Sequence, residues 1–175
     1  SSVACSHDGK VIAVSCCSGD ADNGVVILFK DGIYHKIIPN DSEPPSAFGN
    51  KIVLSPDGKV LFVGGHRDRG DTGAVWIFQE TDCGWEQVDR KLIGSDSAKS
   101  NQGVEICYSN GVLFIGGPSY NDGVGAVWVY CLLNGMWTEV NMITHPGVNI
   151  PSNRSMMFGS SITTVDEFVY IASPG

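Results

Sequence analysis

Short apolar runs punctuated by Gly, Asp-Gly and Asn-Gly set the rhythm of this chain. Val60-Leu61-Phe62-Val63 and Val112-Leu113-Phe114-Ile115 are apolar at every position, as a strand buried on both faces is. Each is preceded by a shorter alternating segment, with Ile52 and Leu54 as one example and Val3 and Cys5 another. Asp8-Gly9, Asp57-Gly58 and Asn110-Gly111 separate the two segments and predict tight hairpins. A third segment begins at a glycine: Gly73-Ala74-Val75-Trp76-Ile77-Phe78 and Gly125-Ala126-Val127-Trp128-Val129-Tyr130. Period-two alternation puts Trp76 with Ala74, and Trp128 with Ala126, on one face of that strand. The fourth segment is polar and loosely patterned, as in Trp85-Glu86-Gln87-Val88 and Trp137-Thr138-Glu139-Val140, which suits an outer edge strand. No stretch has helical period, so the chain is expected to be all-β.

The four segments recur in order. Gly24, Gly73 and Gly125 correspond, as do Phe48-Gly49, Gln102-Gly103 and Phe158-Gly159, at intervals of roughly 50 residues. The units predicted are approximately 1–47, 48–101 and 102–157, with a partial unit over 158–175, all within a single domain. That is fourteen strands, or about three and a half four-stranded units. A unit with one apolar line cannot bury both its faces alone, so neighbours must cover them. Antiparallel four-stranded blades packed face to face make a β-propeller. That arrangement is preferred to a β-sandwich, because sandwiches seldom keep one pattern in every sheet.

Composition narrows the partners. The chain of 175 residues is 42% hydrophobic and contains 22 glycines, placed at turns rather than in a linker. Its formal net charge is −8, and its eleven basic residues are scattered, which argues against a nucleic-acid surface. No apolar stretch approaches the length of a membrane span. The six cysteines (Cys5, Cys16, Cys17, Cys83, Cys107 and Cys131) do not recur from unit to unit and form no CxxC, so they are read as thiols used as small hydrophobes. The chain opens on Ser1 rather than Met, so a processed or trimmed chain, or a fragment, is expected.

Phe-Gly, then Ser-x-Asp-Gly, then an apolar strand ending Gly-Gly-Pro, then Gly-Ala-Val-Trp-Val-Tyr, resembles the FG-GAP repeat of integrin α-chain heads and of many surface or secreted proteins. The match is best over 48–78, 103–130 and 158–175. The first unit departs from it, with Ser15-Cys16-Cys17 where Gly-Gly is usual. The resemblance implies a propeller, usually of seven blades, in a secreted, cell-surface or virion setting. Closure is then expected by self-association of two chains or within a longer chain, ahead of a smaller closed ring.

The resemblance also raises calcium, since related repeats carry a DxDxDG loop between strands. The nearest match is Asp20-Ala21-Asp22-Asn23-Gly24, whose alternating oxygens suit a hard cation. Val25 and Val26 stand where a further carboxylate should follow, so turn chemistry is preferred and no cofactor is expected. Arg69-Gly70-Asp71 spells a tripeptide that integrins recognise, in a predicted loop where Gly and Asp also serve turn geometry. Asp8 and Asp57 are read as caps of their turns. The four histidines have no partner at a repeated position, and no GxSxG, HExxH, P-loop or paired-carboxylate pattern occurs. Trp76 and Trp128 are expected between blades. Trp85 and Trp137, on outer strands, are candidate anchors for a partner or a sugar, with packing on the neighbouring blade the preferred role.

These readings converge on a non-catalytic propeller scaffold that binds protein partners, or a second copy of itself, through loop faces. A small-molecule substrate is not expected. The alternative is a glycan-binding or glycan-cleaving module.

Overall fold

The computed structural model describes residues 1–16, 23–146 and 155–174, and the chain is all-β. The strands of the described residues fall into three four-stranded antiparallel sheets and one hairpin. The first sheet is β1 (Val3–Cys5), β2 (Val11–Cys16), β3 (Val25–Lys30) and β4 (Ile33–Ile37), hydrogen-bonded in that order. The second is β5 (Ile52–Leu54), β6 (Val60–Gly65), β7 (Ala74–Thr81) and β8 (Gly84–Gln87). The third is β9 (Glu105–Ser109), β10 (Val112–Gly117), β11 (Ala126–Leu133) and β12 (Met136–Thr144). The hairpin pairs β13 (Ile162–Val165) with β14 (Phe168–Ile171).

The β1–β2 and β5–β6 hairpins are closed by side chains as well as by their turns. Ser6 Oγ donates to Asp8 at 2.7 Å, Asp8 accepts the Lys10 N–H at 3.1 Å, and Ser6 Oγ accepts the Val11 N–H at 3.0 Å. Ser55, Asp57, Lys59 and Val60 repeat the arrangement at 2.6, 3.1 and 2.9 Å. These bonds hold the Asp8 carboxyl down at about 2 and lower that of Asp57 as well, the serine hydroxyl being the largest influence in both.

The segments between β6 and β7 and between β10 and β11, which carry no helical period, form four-residue turns, α1 (Asp68–Asp71) and α2 (Tyr120–Gly123). Neither is a continuous helix. Arg69 and Gly70 in one, and Asn121 and Asp122 in the other, lie in the left-handed region, where Gly and Asn are the cheapest occupants.

Three apolar seams join neighbouring sheets. In the first, Val11, Ala13, Val26 and Leu28 meet Leu61, Val63, Trp76 and Phe78. In the second, Phe62, Val75 and Ile77 of the opposite face of the second sheet meet Leu113, Ile115, Trp128 and Tyr130. In the third, Phe114, Val127 and Val129 meet Phe158 and Ile162. Trp76 and Trp128 are fully buried in the first and second seams. At ~25 cal/mol per Å² of apolar surface, side chains of this size dominate the packing energy. β1, β5, β9 and β13 touch in succession, so the first strands of the sheets lie side by side. Among the described residues no sheet closes on itself.

The glycines at the ends of the inner strands explain how closely the sheets approach. A Cβ on Gly64 would run into the carbonyl of Gly103, and one on Gly116 into the carbonyl of Gly159. Gln102-Gly103, leading into the third sheet, and Phe158-Gly159, leading into the hairpin, therefore sit on the bare backbone of the sheet before. Parallel bridges from Gly73 to Gln102 and from Gly125 to Phe158 fix that contact. Ser15 occupies the corresponding place in the first sheet, buried, and trades hydrogen bonds with the Ser2 backbone at 2.8 and 3.2 Å.

The cysteines differ from their reading as small hydrophobes. Among the described residues Cys5, Cys16 and Cys83 are exposed and Cys107 and Cys131 half-buried, and Cys5, Cys83, Cys107 and Cys131 are free thiols. Cys5 and Cys16 alternate onto the face of the first sheet that no other sheet among the described residues covers, so their positions are strand-like but not interior. Cys17 lies outside the described residues. No helix among the described residues is long and apolar enough to cross a membrane.

Candidate functional site

Antiparallel alternation gathers the β4–β5, β6–β7 and β8–β9 connections at one end of the second sheet. There they frame a cleft of about 610 Å³. Asn40, Asp41 and Glu43 come from the first connection, Arg69 from the second, and Asp89, Arg90, Lys91 and Ile93 from the third.

The floor of the cleft is a network built on Trp76. Its indole N–H donates to Asp41 Oδ1 at 2.8 Å, and Asp41 also accepts from Gln87 Nε2 at 3.0 Å and from the Lys91 N–H at 3.1 Å. Burial pushes the Asp41 carboxyl up, but these three donors and the Lys91 charge outweigh it and hold it below its ordinary value. The Lys91 ammonium reaches Asp68 at 2.6 Å and Glu43 at 3.1 Å, and stands 5.8 Å from the centre of the Trp76 ring. Asp68 is wholly buried and also accepts the Glu43 N–H at 2.7 Å. Burial raises its carboxyl above the usual range, with Lys91 and that N–H opposing the shift. Asp41, Asp68 and Lys91 thus have their hydrogen-bonding capacity largely committed to one another, and they fix the shape of the cleft.

The rim is different. Arg69 and Arg90 make no ion pair among the described residues and are exposed, with the Asp89 side chain exposed beside Arg90. A second groove, about 380 Å³, adjoins this rim and shares Asp89 and Arg90 with it. Ile77, Val88, Leu92, Met136 and Trp137 give it an apolar wall.

The residues singled out from the sequence disperse over these features. Arg69 lines the cleft. Asp71, exposed, faces Arg67 at 3.8 Å and does not line it. Trp137 is half-buried, its ring edge-on to Phe62 of the preceding sheet at 5.4 Å and to Tyr108 at 6.2 Å, and it walls the second groove. Trp85 is half-buried against the first seam, and its indole N–H is buried without a hydrogen-bond partner. Asp20 and Asp22 lie outside the described residues. Asn23 is half-buried, its Oδ1 enclosed without a partner. Among the described residues no group of three His, Cys, Asp or Glu side chains is placed to hold a metal ion. Asp41 and Lys91 were not picked out from the sequence. They lie some fifty residues apart in connections without a repeated pattern, so no local signal marked them.

No protein-family model matches the chain, and no curated protein sequence matches it.

Proposed function

We propose that the chain is part of a β-propeller of FG-GAP-like blades and serves as a non-catalytic scaffold that binds a protein partner through its loop end. The observation carrying this reading is the division of labour in the cleft. Its buried charges are spent on one another, while two arginines that make no ion pair among the described residues stand at its rim on connections held by a packed sheet stack. Such a rim suits an acidic side chain of a partner, which an arginine engages through paired N–H donors. Sequence supports the blade assignment through the recurring Phe-Gly, Asp-Gly and Gly-Ala-Val-Trp segments. Fold supports it through three sheets stacked face to face with their first strands adjacent.

The test is affinity capture with the intact chain and with Arg69→Glu/Arg90→Glu. Retention of a defined set of proteins by the wild type and its loss in the double variant, with unchanged far-ultraviolet circular dichroism, is the expected result. Identical capture by both would reject the cleft as the binding surface.

A second reading rests on the neighbouring groove, where Trp137 lies beside Asp89 and Arg90. An aromatic wall next to charged groups is suited to a sugar ring. Under this reading a glycan array gives binding that Trp137→Ala abolishes, and a silent array disposes of it.

A further inference from the structure

Every seam in this molecule joins unlike faces. One face of a sheet, here called leading, receives the sheet that follows it, and the opposite, trailing face abuts the sheet before. Leu61, Val63 and Trp76 lie on the trailing face of the second sheet, and Leu113, Ile115 and Trp128 occupy the same positions in the third. All six are fully buried.

The same positions in the first sheet are Ile12, Val14 and Ile27, and no sheet among the described residues covers them. They are 38%, 49% and 37% exposed, and Val3 and Tyr34 on the same face are 69% and 74% exposed. Register places the five on one side. Val3 is opposite Val14, Val14 is opposite Ile27, and the partners of Ile12 and Tyr34 converge on Phe29. A solvated sheet would alternate apolar-in with polar-out, whereas this sheet is apolar on both sides.

At the other end of the stack the β13–β14 hairpin turns Ile162 and Ile171 toward the third sheet. Alternation sends Val165, Phe168 and Tyr170 to its leading face, where they are 54%, 67% and 55% exposed. The chain therefore exposes one trailing face and one leading face, the two kinds of surface that meet in each existing seam.

We propose that copies of this chain associate head to tail, with the trailing face of the first sheet of one copy seated on the leading face of the β13–β14 hairpin of the next. The contact continues the packing already repeated three times within the chain. It is heterologous, so it either closes into a ring or runs on as a filament. It leaves Arg69 and Arg90 outside the contact, so its failure would not touch the loop-end reading, and failure of that reading would not touch it.

The experiment is sedimentation or light scattering of the whole chain over a wide concentration range, with two substitutions at exposed positions. Ile27→Lys blocks the trailing face and Phe168→Lys the leading face. Circular dichroism checks each fold, and Val14→Lys and Tyr170→Lys serve as second choices. The wild type is expected to show mass increasing with concentration. Each variant alone should weaken association by more than about tenfold. An equal mixture should form a heterodimer that grows no further, because each copy supplies the face the other lacks. A wild type that stays monomeric overturns the proposal. So does an oligomer that survives either substitution, or a mixture that remains monomeric.

Discussion

The first sheet and the two that follow it share strand order and nearly the same apolar pattern. Their packing differs. Trp76 and Trp128 are enclosed by a sheet on each side of the seam, while Ile27 at the equivalent place faces outward. Gly64 and Gly116 let the next sheet's lead-in rest on bare backbone, while Ser15 fills that place with a side chain bonded to Ser2. A strand's hydrophobicity states that it needs covering on both faces. Whether it is covered depends on its position in the stack.

The largest test of that difference is truncation at the shared position. Trp128→Ala should cost about 3–5 kcal/mol, since it empties a fully enclosed site. Ile27→Ala in dilute protein should cost under ~1 kcal/mol, because that side chain already meets water. Equal shifts in urea midpoint would mean that the first sheet is covered after all.

Next in size are the inner-strand glycines. Gly64→Ala and Gly116→Ala should each destabilise by about 1–3 kcal/mol, as the added methyl group meets a carbonyl that the next sheet holds in place. Ser15→Gly should instead cost about 1 kcal/mol through the lost Ser2 hydrogen bonds. Denaturant titration of the three variants sharpens the contrast between a site that requires glycine and one that has adapted to serine.

The tryptophan indoles separate the second and third sheets from each other. Trp76 donates to the Asp41 carboxylate, and Trp128 donates to the backbone carbonyl of Ser95 at 2.8 Å. Asp41→Ala should therefore cost about 1–3 kcal/mol by stranding a buried N–H. Ser95→Ala keeps the acceptor and its own N–H bond to Glu139 and loses only the hydroxyl bond to that carboxylate, for under ~1 kcal/mol. Thermal unfolding followed by tryptophan fluorescence reads both.

The smallest effect is titration of the turns. Asp8 and Asp57 have folded pKa values below their ordinary ones, so they add stability above the ordinary carboxylate range. For Asp8 that stability fades as pH falls from about 4 toward about 2, and for Asp57 it fades as pH falls below the ordinary carboxylate range. The third sheet turns on Asn110-Gly111, which does not titrate in this range. Hydrogen exchange at decreasing pH should release the β1–β2 and β5–β6 hairpins before β9–β10, and simultaneous release would contradict the assignment.

Much of this was legible in the chain. Gly-Ala-Val-Trp placed the third strands and the tryptophan faces, because strand periodicity is local and two residues long. Ser-x-Asp-Gly placed the hairpin turns, because a capping side chain acts within a few bonds of the backbone it serves. The first unit's Ser15-Cys16-Cys17 marked the place where the glycine contact is absent. The cleft was not legible. Asp41, Asp68 and Lys91 lie in connections of unequal length without a repeated pattern, and only the stacking of two sheets brings them within bonding distance.

The sequence by itself determined an all-β chain, its repeated unit of four strands, the turns between them and the faces that had to be apolar. These follow from backbone geometry and the period of side-chain alternation, both short-range. Tertiary structure decided which faces are paired, where the charges of the cleft meet and which apolar surfaces remain open. Those depend on how one sheet lies against another, and a local pattern carries no term for the neighbour it will meet.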